Sequence, residues 1–499
     1  MEQLRSTRGS SWGKDLSLKR VVGFSFDRLW MLMAFYSIVP YLYSSDVRGS
    51  LYTTLFISLC AMVVTLLFVS VIMRGQDSIA GNRTIVAVAA AVTCVGSLLT
   101  PFSDLNTTYG MLILGIGSIM TGTGSAVLFL GWIGLFSGVG GRLSLFELSA
   151  GMCIAFVVSL VLVAVPPLLA NIAVICLPLA SGFMLGRLGG AKAPALPLPE
   201  QPPSGRTVGL FAKALAGAVL VGMLEGFFDV LSGYRTFEVQ DVYGMYLLVA
   251  GFFAMLVVVL IAVFLSRDGV FFAYRFAMLL LCLGCLLTPF MGDNNTYSSA
   301  LIFGGYNCFT ITLCVVCIDV ATSFRIGAVR TIGLGLVALC GGEVIGSAMA
   351  HGLHIAGFTS FDLAGVTLVA VSALFVAHLF LFTETDLIKL GIGEVSRVLP
   401  GADEGVVVAE VGESEGEDED PVDPCDAIVE KFSLSPRESD VLPLLLQGRT
   451  ISRIQETLFI SAGTVSTHIR HIYQKTGVDN RQELIDLVER TREHAEEVE

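Results

Sequence analysis

Long apolar runs recur along the first three-quarters of the chain, each broken by a short polar stretch. An α-helix needs about 20 such residues to cross a ~30 Å hydrocarbon layer. Read on that scale, the pattern predicts twelve helical spans, at 21–43, 51–73, 84–102, 109–136, 145–168, 171–186, 208–231, 243–265, 271–290, 298–322, 331–353 and 361–383. The stretch "RLGGAKAPALPLPEQPPSGR" at 187–206 has no apolar period, and its Pro and Gly content reads as a linker dividing six spans from six. After Glu384 the pattern changes. Residues 385–424 are acidic, with Gly, Ser and Pro, and read as a flexible linker. From 425 to 490 apolar residues return at helical spacing, one face at a time, and predict four short helices ahead of an acidic tail at 491–499. The expected fold class is all-α: a polytopic membrane bundle over 21–384, in halves 21–186 and 207–384, plus a C-terminal four-helix domain.

Composition sharpens this picture. Of 499 residues, 54% are hydrophobic and 15% charged, which excludes an ordinary soluble globule. Residues 1–20 carry Arg5, Arg8, Lys14, Lys19 and Arg20, but the apolar run that follows is too long for a signal-peptide core and reads as the first span. Twelve spans place sixteen Lys and Arg on one side of the membrane, among them Arg74, Arg83, Arg142, Arg187, Lys213, Arg267, Arg275 and Arg330, against Arg48 and Arg235 on the other. Basic loops stay in the cytoplasm. Both termini are therefore expected there, in the inner membrane of a bacterial cell. The net charge of −13 argues against nucleic acid only until its distribution is considered. The acidic excess is concentrated in 403–426 and in the last residues, and 427–490 is nearly balanced.

Ten of the eleven cysteines lie in apolar segments, including the pairs Cys282/Cys285 and Cys314/Cys317. In that setting they read as small hydrophobes, not as metal or redox centres. No phosphate loop, nucleophile set or metal set stands out, so neither an enzyme nor a cofactor is expected.

An internal repeat is present. "CVGSLLTPF" at 94–102 recurs as "CLGCLLTPF" at 282–290, and at the same offset Gly117 matches Gly305 and Arg142 matches Arg330. Parallel repeats of six spans are a transporter arrangement, with the ligand held between halves near the midplane. In this topology residues 21–384 resemble the major facilitator superfamily. That family's loop signature after the second span is matched only in part by "RGQDSIAGNRT": Asp77, Gly81 and Arg83 fit, and Ser78 stands where a basic residue is usual.

Charges inside spans are costly, about 2.5–3.5 kcal/mol each on insertion scales. Asp27 and Arg28 fall in the first span, Glu225 and Asp229 on one face of the seventh, and Glu343 in the eleventh. These five are the candidate ligand-binding residues, facing a cavity between the halves for a small-molecule effector. The competing reading is a structural clamp, in which Arg28 pairs with a carboxylate. Glu147 and Asp319 fall nearer the cytoplasmic interface.

In the tail, Ser435, Pro436 and Glu438 form a helix start of capping-box type, with Val441, Leu442 and Leu445 inward. A second helix over 451–458 turns Ile454 and Leu458 inward. A third runs from a Ser461 cap to about Lys475 with Val465, Ile469 and Ile472 inward, and a fourth carries Leu484, Leu487 and Val488. The outward face of the third helix shows Thr464, Ser466, Thr467, His468, Arg470, His471, Gln474 and Lys475, hydrogen-bonding and basic groups without a carboxylate. Such a face suits a DNA major groove. The motifs "LSPRE", "GTV-THI--IY-K-GV" and "NRQEL" resemble the LuxR/FixJ-type helix-turn-helix of bacterial transcription regulators over 434–488. The resemblance implies that the third helix reads double-stranded DNA and that the fourth helps a homodimer form on two half-sites. By motif position, Ser466, Thr467 and Arg470 face base edges, while Thr464, His468, His471 and Lys475, with Arg449 and Arg453, face phosphates. Gln455 and Ser466 depart from the usual pattern, and a Lys is common where Ser466 stands.

The expectation is a membrane-embedded one-component transcription regulator that contacts DNA, the lipid bilayer and an effector. The alternatives are a secondary transporter with a regulatory DNA-binding tail and an anchored protein-interaction module. The charge segregation adds a further expectation, that the acidic linker folds back on the basic recognition helix.

Overall fold

The computed structural model describes residues 16–189 and 205–356, except 38, 42–43, 75, 77, 138, 140, 236–239, 266–268, 291–295 and 325–326. It also describes six helical positions between 365 and 374 and, in the tail, 428–429, 432, 434–446, 454, 458, 462–478, 481, 483–485 and 487–488. The expected twelfth span lies almost wholly, and the acidic linker wholly, outside the described residues. The chain divides into two compact units, 1–397 and 398–499.

The first unit is a helical bundle, with no strand among the described residues. Its long helices are α1 (Leu18–Phe35), α2 (Val47–Ile72), α3 (Arg83–Leu99), α4 (Thr108–Gly134), α5 (Gly141–Val163), α6 (Pro167–Leu188), α7 (Gly205–Arg235), α8 (Gln240–Phe264), α9 (Gly269–Leu287), α10 (Thr296–Phe324) and α11 (Ala328–Ile355). Ten of them, α2 to α11, are long and apolar enough to cross a membrane. α1 holds Lys19, Arg20, Asp27 and Arg28 in eighteen residues, too much charge to qualify by composition alone. The chain is a helical membrane protein.

Local chemistry sets the helix ends. The side chains of Asp46, Asn82 and Thr107 accept backbone N–H bonds from Gly49, Ile85 and Gly110 and so start α2, α3 and α4. α1 stops at Phe35, short of the expected 43, and a 3₁₀ turn at Val39–Tyr41 follows. Pro40 has no N–H to continue the ladder. The repeated "TPF" forms the same 3₁₀ turn twice, at Thr100–Phe102 after α3 and at Thr288–Phe290 after α9. The repeated glycines also act alike. A Cβ at Gly96 would lie 2.9 Å from Gly117 O, and one at Gly284 would lie 2.9 Å from Ser298 O, so α3 on α4 and α9 on α10 pack backbone to backbone.

The packing repeats with the sequence. Within the first half α1 packs on α5, α2 on α4 and α3 on α4. Six helices later, α7 packs on α11, α8 on α10 and α9 on α10. Two further contacts join the halves and are related in the same way, α2 with α11 and α8 with α5. A bundle of two like halves follows, with a shared core that includes Phe24, Trp30, Trp132, Phe156 and Phe228.

The tail unit has its own core of Ile428, Leu434, Val441, Leu442, Leu445, Ile454, Val465, Ile472 and Leu484. Its described long helices are α12 (Pro436–Leu446) and α13 (Ala462–Thr476), which pack on each other. The capping box forms: Ser435 N–H donates to Glu438 Oε2 at 2.8 Å, and Glu438 N–H donates to Ser435 Oγ at 3.4 Å. Gly477 ends α13 at φ +70°, a conformation that favours glycine.

Candidate functional sites: a recognition helix and a cavity between the halves

α13 buries Val465 and Ile472 and packs Ile469 against the same core, as helical spacing requires. The opposite face is thereby fixed. Thr464, Ser466, Thr467, Arg470 and Gln474 are exposed along it. Three other residues expected on this face do something different. Lys475 Nζ donates to Glu438 Oε2 at 2.7 Å, and His471 Nδ1 lies 3.5 Å from Glu438 Oε1. His468 is half-buried, and its Nδ1 has no hydrogen-bond partner among the described residues. Lys475 thus holds α13 to α12, with His471 close beside the same carboxylate, a tie that surface spacing could not reveal. Arg449 and Arg453 lie outside the described residues.

Glu438 is the acceptor at the centre of this arrangement. Burial pushes its carboxyl up, but the Lys475 hydrogen bond and the two from Ser435 outweigh that and hold it at about 2. It was legible as a capping residue and not as the anchor of α13.

In the membrane unit a cavity opens between the halves. Arg28 reaches it from α1 and Glu343 from α11, with Tyr36, Tyr306 and Asn307 beside them. Arg28 Nε donates to Asp27 Oδ2 at 3.0 Å, and its guanidinium lies 3.6 Å from the Phe129 ring centroid. Glu343 Oε2 accepts the Tyr306 hydroxyl at 2.7 Å. Asp27 backs Arg28 without lining the space. Glu225 and Asp229 line a second, smaller pocket with Phe228 and Phe303. The Phe303 ring stands 4.7 Å from that of Tyr36, between the two spaces. Of the five expected residues, then, Arg28 and Glu343 meet in one cavity. Tyr36 and Tyr306 escaped the sequence reading because aromatic residues are ordinary within apolar runs.

The two residues expected nearer the interface are placed as follows. Glu147 is fully buried and accepts bonds from Arg20 Nε and Nη2, both at 2.6 Å, and from Ser17 N–H at 2.8 Å, pinning α1 to α5. The Asp319 carboxylate sits against Gly141, at the start of α5. The C-x-x-C thiols are free, and no metal-holding group of His, Cys, Asp and Glu occurs among the described residues.

Comparison with known proteins agrees with both units. Residues 432–488 match the family described as bacterial regulatory proteins, luxR family. The HTH-type transcriptional regulator MalT of Yersinia pestis is 38% identical over 63 residues, 13% of this chain and 7% of that one. Rv0890c of Mycobacterium tuberculosis, named as an HTH-type transcriptional regulator, is 43% identical over 54 residues, 11% of this chain and 6% of that one. This chain spans less than a tenth of the length of either relative. The membrane unit has the fold of solved transporters. A bacterial homologue of the iron transporter ferroportin, in an outward-facing state, aligns over 75% of this chain and 98% of that one at 13% identity and a TM-score of 0.52. The human organic anion transporter MFSD10 aligns over 72% and 100% at 14% identity and a TM-score of 0.51. The chain therefore joins a segment that matches the luxR family of bacterial regulatory proteins to a membrane unit with the fold of solved transporters.

Proposed function

We propose that this chain is a membrane-embedded one-component transcription regulator of the bacterial inner membrane, with both termini in the cytoplasm. An effector binds in the cavity between the halves, and the tail binds promoter DNA as a homodimer. The reading is carried by one observation: a helix whose exposed face holds Ser466, Thr467 and Arg470, without a carboxylate, shares a chain with a cavity that faces Arg28 and Glu343 from opposite halves. Hydroxyls and a guanidinium read base edges, and a ligand touching both halves prefers one arrangement of them over another. Ser466, Thr467 and Arg470 take the base edges. Thr464 takes a phosphate, as do Arg449 and Arg453 by their place in the motif. Lys475 and His471 serve Glu438 first and reach phosphate only by exchanging it.

The test is chromosome-wide binding of the intact protein beside a Ser466/Thr467/Arg470 triple-alanine variant. Sharp sites in the wild type that vanish in the variant are the expected result. Sites retained by the variant, or none in either across growth conditions, would overturn the reading. The transporter likeness of the membrane fold favours a second reading, a transporter with a regulatory tail, which predicts net flux of a solute by the protein reconstituted in vesicles.

A further inference from the structure

We propose that the cavity between the halves takes a hydrophobic organic monocation, an amine or quaternary ammonium on an aryl or alkyl body. This rests on the effector reading above and names the ligand's chemistry.

The argument begins with charge. The charged side chains gathered at and beside the cavity are Arg28, Asp27, Glu225, Asp229 and Glu343, one cation against four carboxylates. Arg28 is matched by its neighbour Asp27, and Phe129 covers its guanidinium face. Glu343 faces the cavity from the other half. The hydrogen bond it accepts comes from the neutral Tyr306 hydroxyl, and no Lys, Arg or His pairs with it among the described residues. Glu225 and Asp229 share one face of α7, which packs on α11, and add the same sign nearby. In an apolar surrounding a carboxylate left without a cation is costly. An incoming cation relieves that cost. An incoming anion meets Glu343 and must displace Asp27 from Arg28.

The walls then select the cation's body. Phe35, Tyr36 and Tyr306 line the space with Glu343, and aromatic rings attract organic cations. Met31, Met62 and Met152 supply adaptable apolar wall. A bare divalent metal has no cage here, because the carboxylates are spread over two pockets and hold no metal-binding geometry among the described residues.

The test uses two permanently charged probes that share a benzyl body and a tetrahedral head of opposite sign, benzyltrimethylammonium and benzylsulfonate. Each is titrated into the intact purified protein by equilibrium dialysis. Saturable binding of the cation and none of the anion is expected. Glu343→Gln keeps the shape and removes the charge, and should weaken the cation by about tenfold or more, whereas Glu343→Asp should stay within a few-fold of wild type. A second measurement needs no variant. Cys340 lines the same space, so the bound cation should slow its alkylation, read by peptide mass spectrometry. Anion binding equal to or tighter than the cation's, no saturable cation binding, full-strength cation binding by Glu343→Gln, or an unprotected Cys340 would each overturn the proposal. No DNA enters these readouts. Failure here falls on the ligand class, and failure of the chromosome-binding test falls on the regulator reading.

Discussion

At the scale of single residues, Glu438 couples helix capping to placement of α13, the proposed recognition helix. Its side chain is 5% exposed and accepts from Ser435 N–H and Lys475 Nζ. Its carboxyl is held at about 2, below the ordinary 4.5. A depressed carboxyl stabilises the folded state above its unfolded value, and that contribution disappears as pH falls from about 4.5 toward 2. Amide exchange over 436–476 in the intact protein, corrected for intrinsic rates, should therefore lose protection across that interval. Glu438→Gln should remove the step and lower protection at neutral pH by about 1–2 kcal/mol, the worth of a charged hydrogen bond discounted for the part-exposed Lys475. The same geometry bears on DNA. Each phosphate neutralised adds about 0.9 to the slope of log affinity against log salt. With Lys475 committed to Glu438, Lys475→Gln should weaken DNA binding while leaving that slope unchanged. A slope smaller by about one unit would instead make Lys475 a phosphate contact.

At the scale of elements, the tightest joint in the membrane unit is α7 on α11. Two glycines on each helix, Gly222 and Gly226 against Gly342 and Gly346, bring the backbones together, so that a Cβ at Gly222 would lie 1.9 Å from Leu339 O and one at Gly342 would lie 2.2 Å from Val219 O. Gly341, next along the chain, has nothing within 4 Å of its Cβ position. Gly342→Leu should abolish the monodisperse peak of the detergent-solubilised protein in size-exclusion chromatography, and Gly341→Leu should leave it in place. Equal behaviour of the two would dissolve the packing account. The glycine spacing is visible in the sequence, but which helix it meets is not, because spacing fixes a face and not a partner. The same limit governs the cavity. Arg28 and Glu343 stood out because charge in an apolar run is costly. That Glu225 and Asp229 face a separate pocket depends on how α7 is rotated against its neighbours, which i, i+4 spacing does not contain. Spans were legible from apolar length, and the tail helices from caps and stripes. Helix ends were less so. α10 and α11 run past the apolar window into residues that a helix tolerates outside it, and α1 stops early at a proline turn.

At the scale of the whole molecule, the two seams between the halves are related by the repeat and differ in chemistry. At one, Arg142 of α5 donates from Nε to Ala262 O at 2.9 Å and from Nη2 to Val263 O at 2.7 Å, engaging carbonyls in the last turn of α8. At the other, Val329 N–H donates to Gln76 O at 3.2 Å, and Gly327 comes so close to Arg74 O that a Cβ would lie 2.4 Å away. These bonds come from a side chain at one seam and from backbone at the other, so a single substitution removes those of the first alone. Removing two charge-assisted hydrogen bonds, the Nη2 one exposed and so discounted, takes at least about 1.5 kcal/mol from that arrangement, enough to shift a two-state balance by roughly tenfold or more. Arg142→Ala should accordingly raise the rate at which Cys340 is labelled from the seam side in inverted vesicles, with no effector added. If the tail reports the state of the halves, chromosomal occupancy should change in the same variant. Faster labelling with unchanged occupancy would show that the membrane domain moves without informing the DNA-binding tail, and would put the transporter reading first.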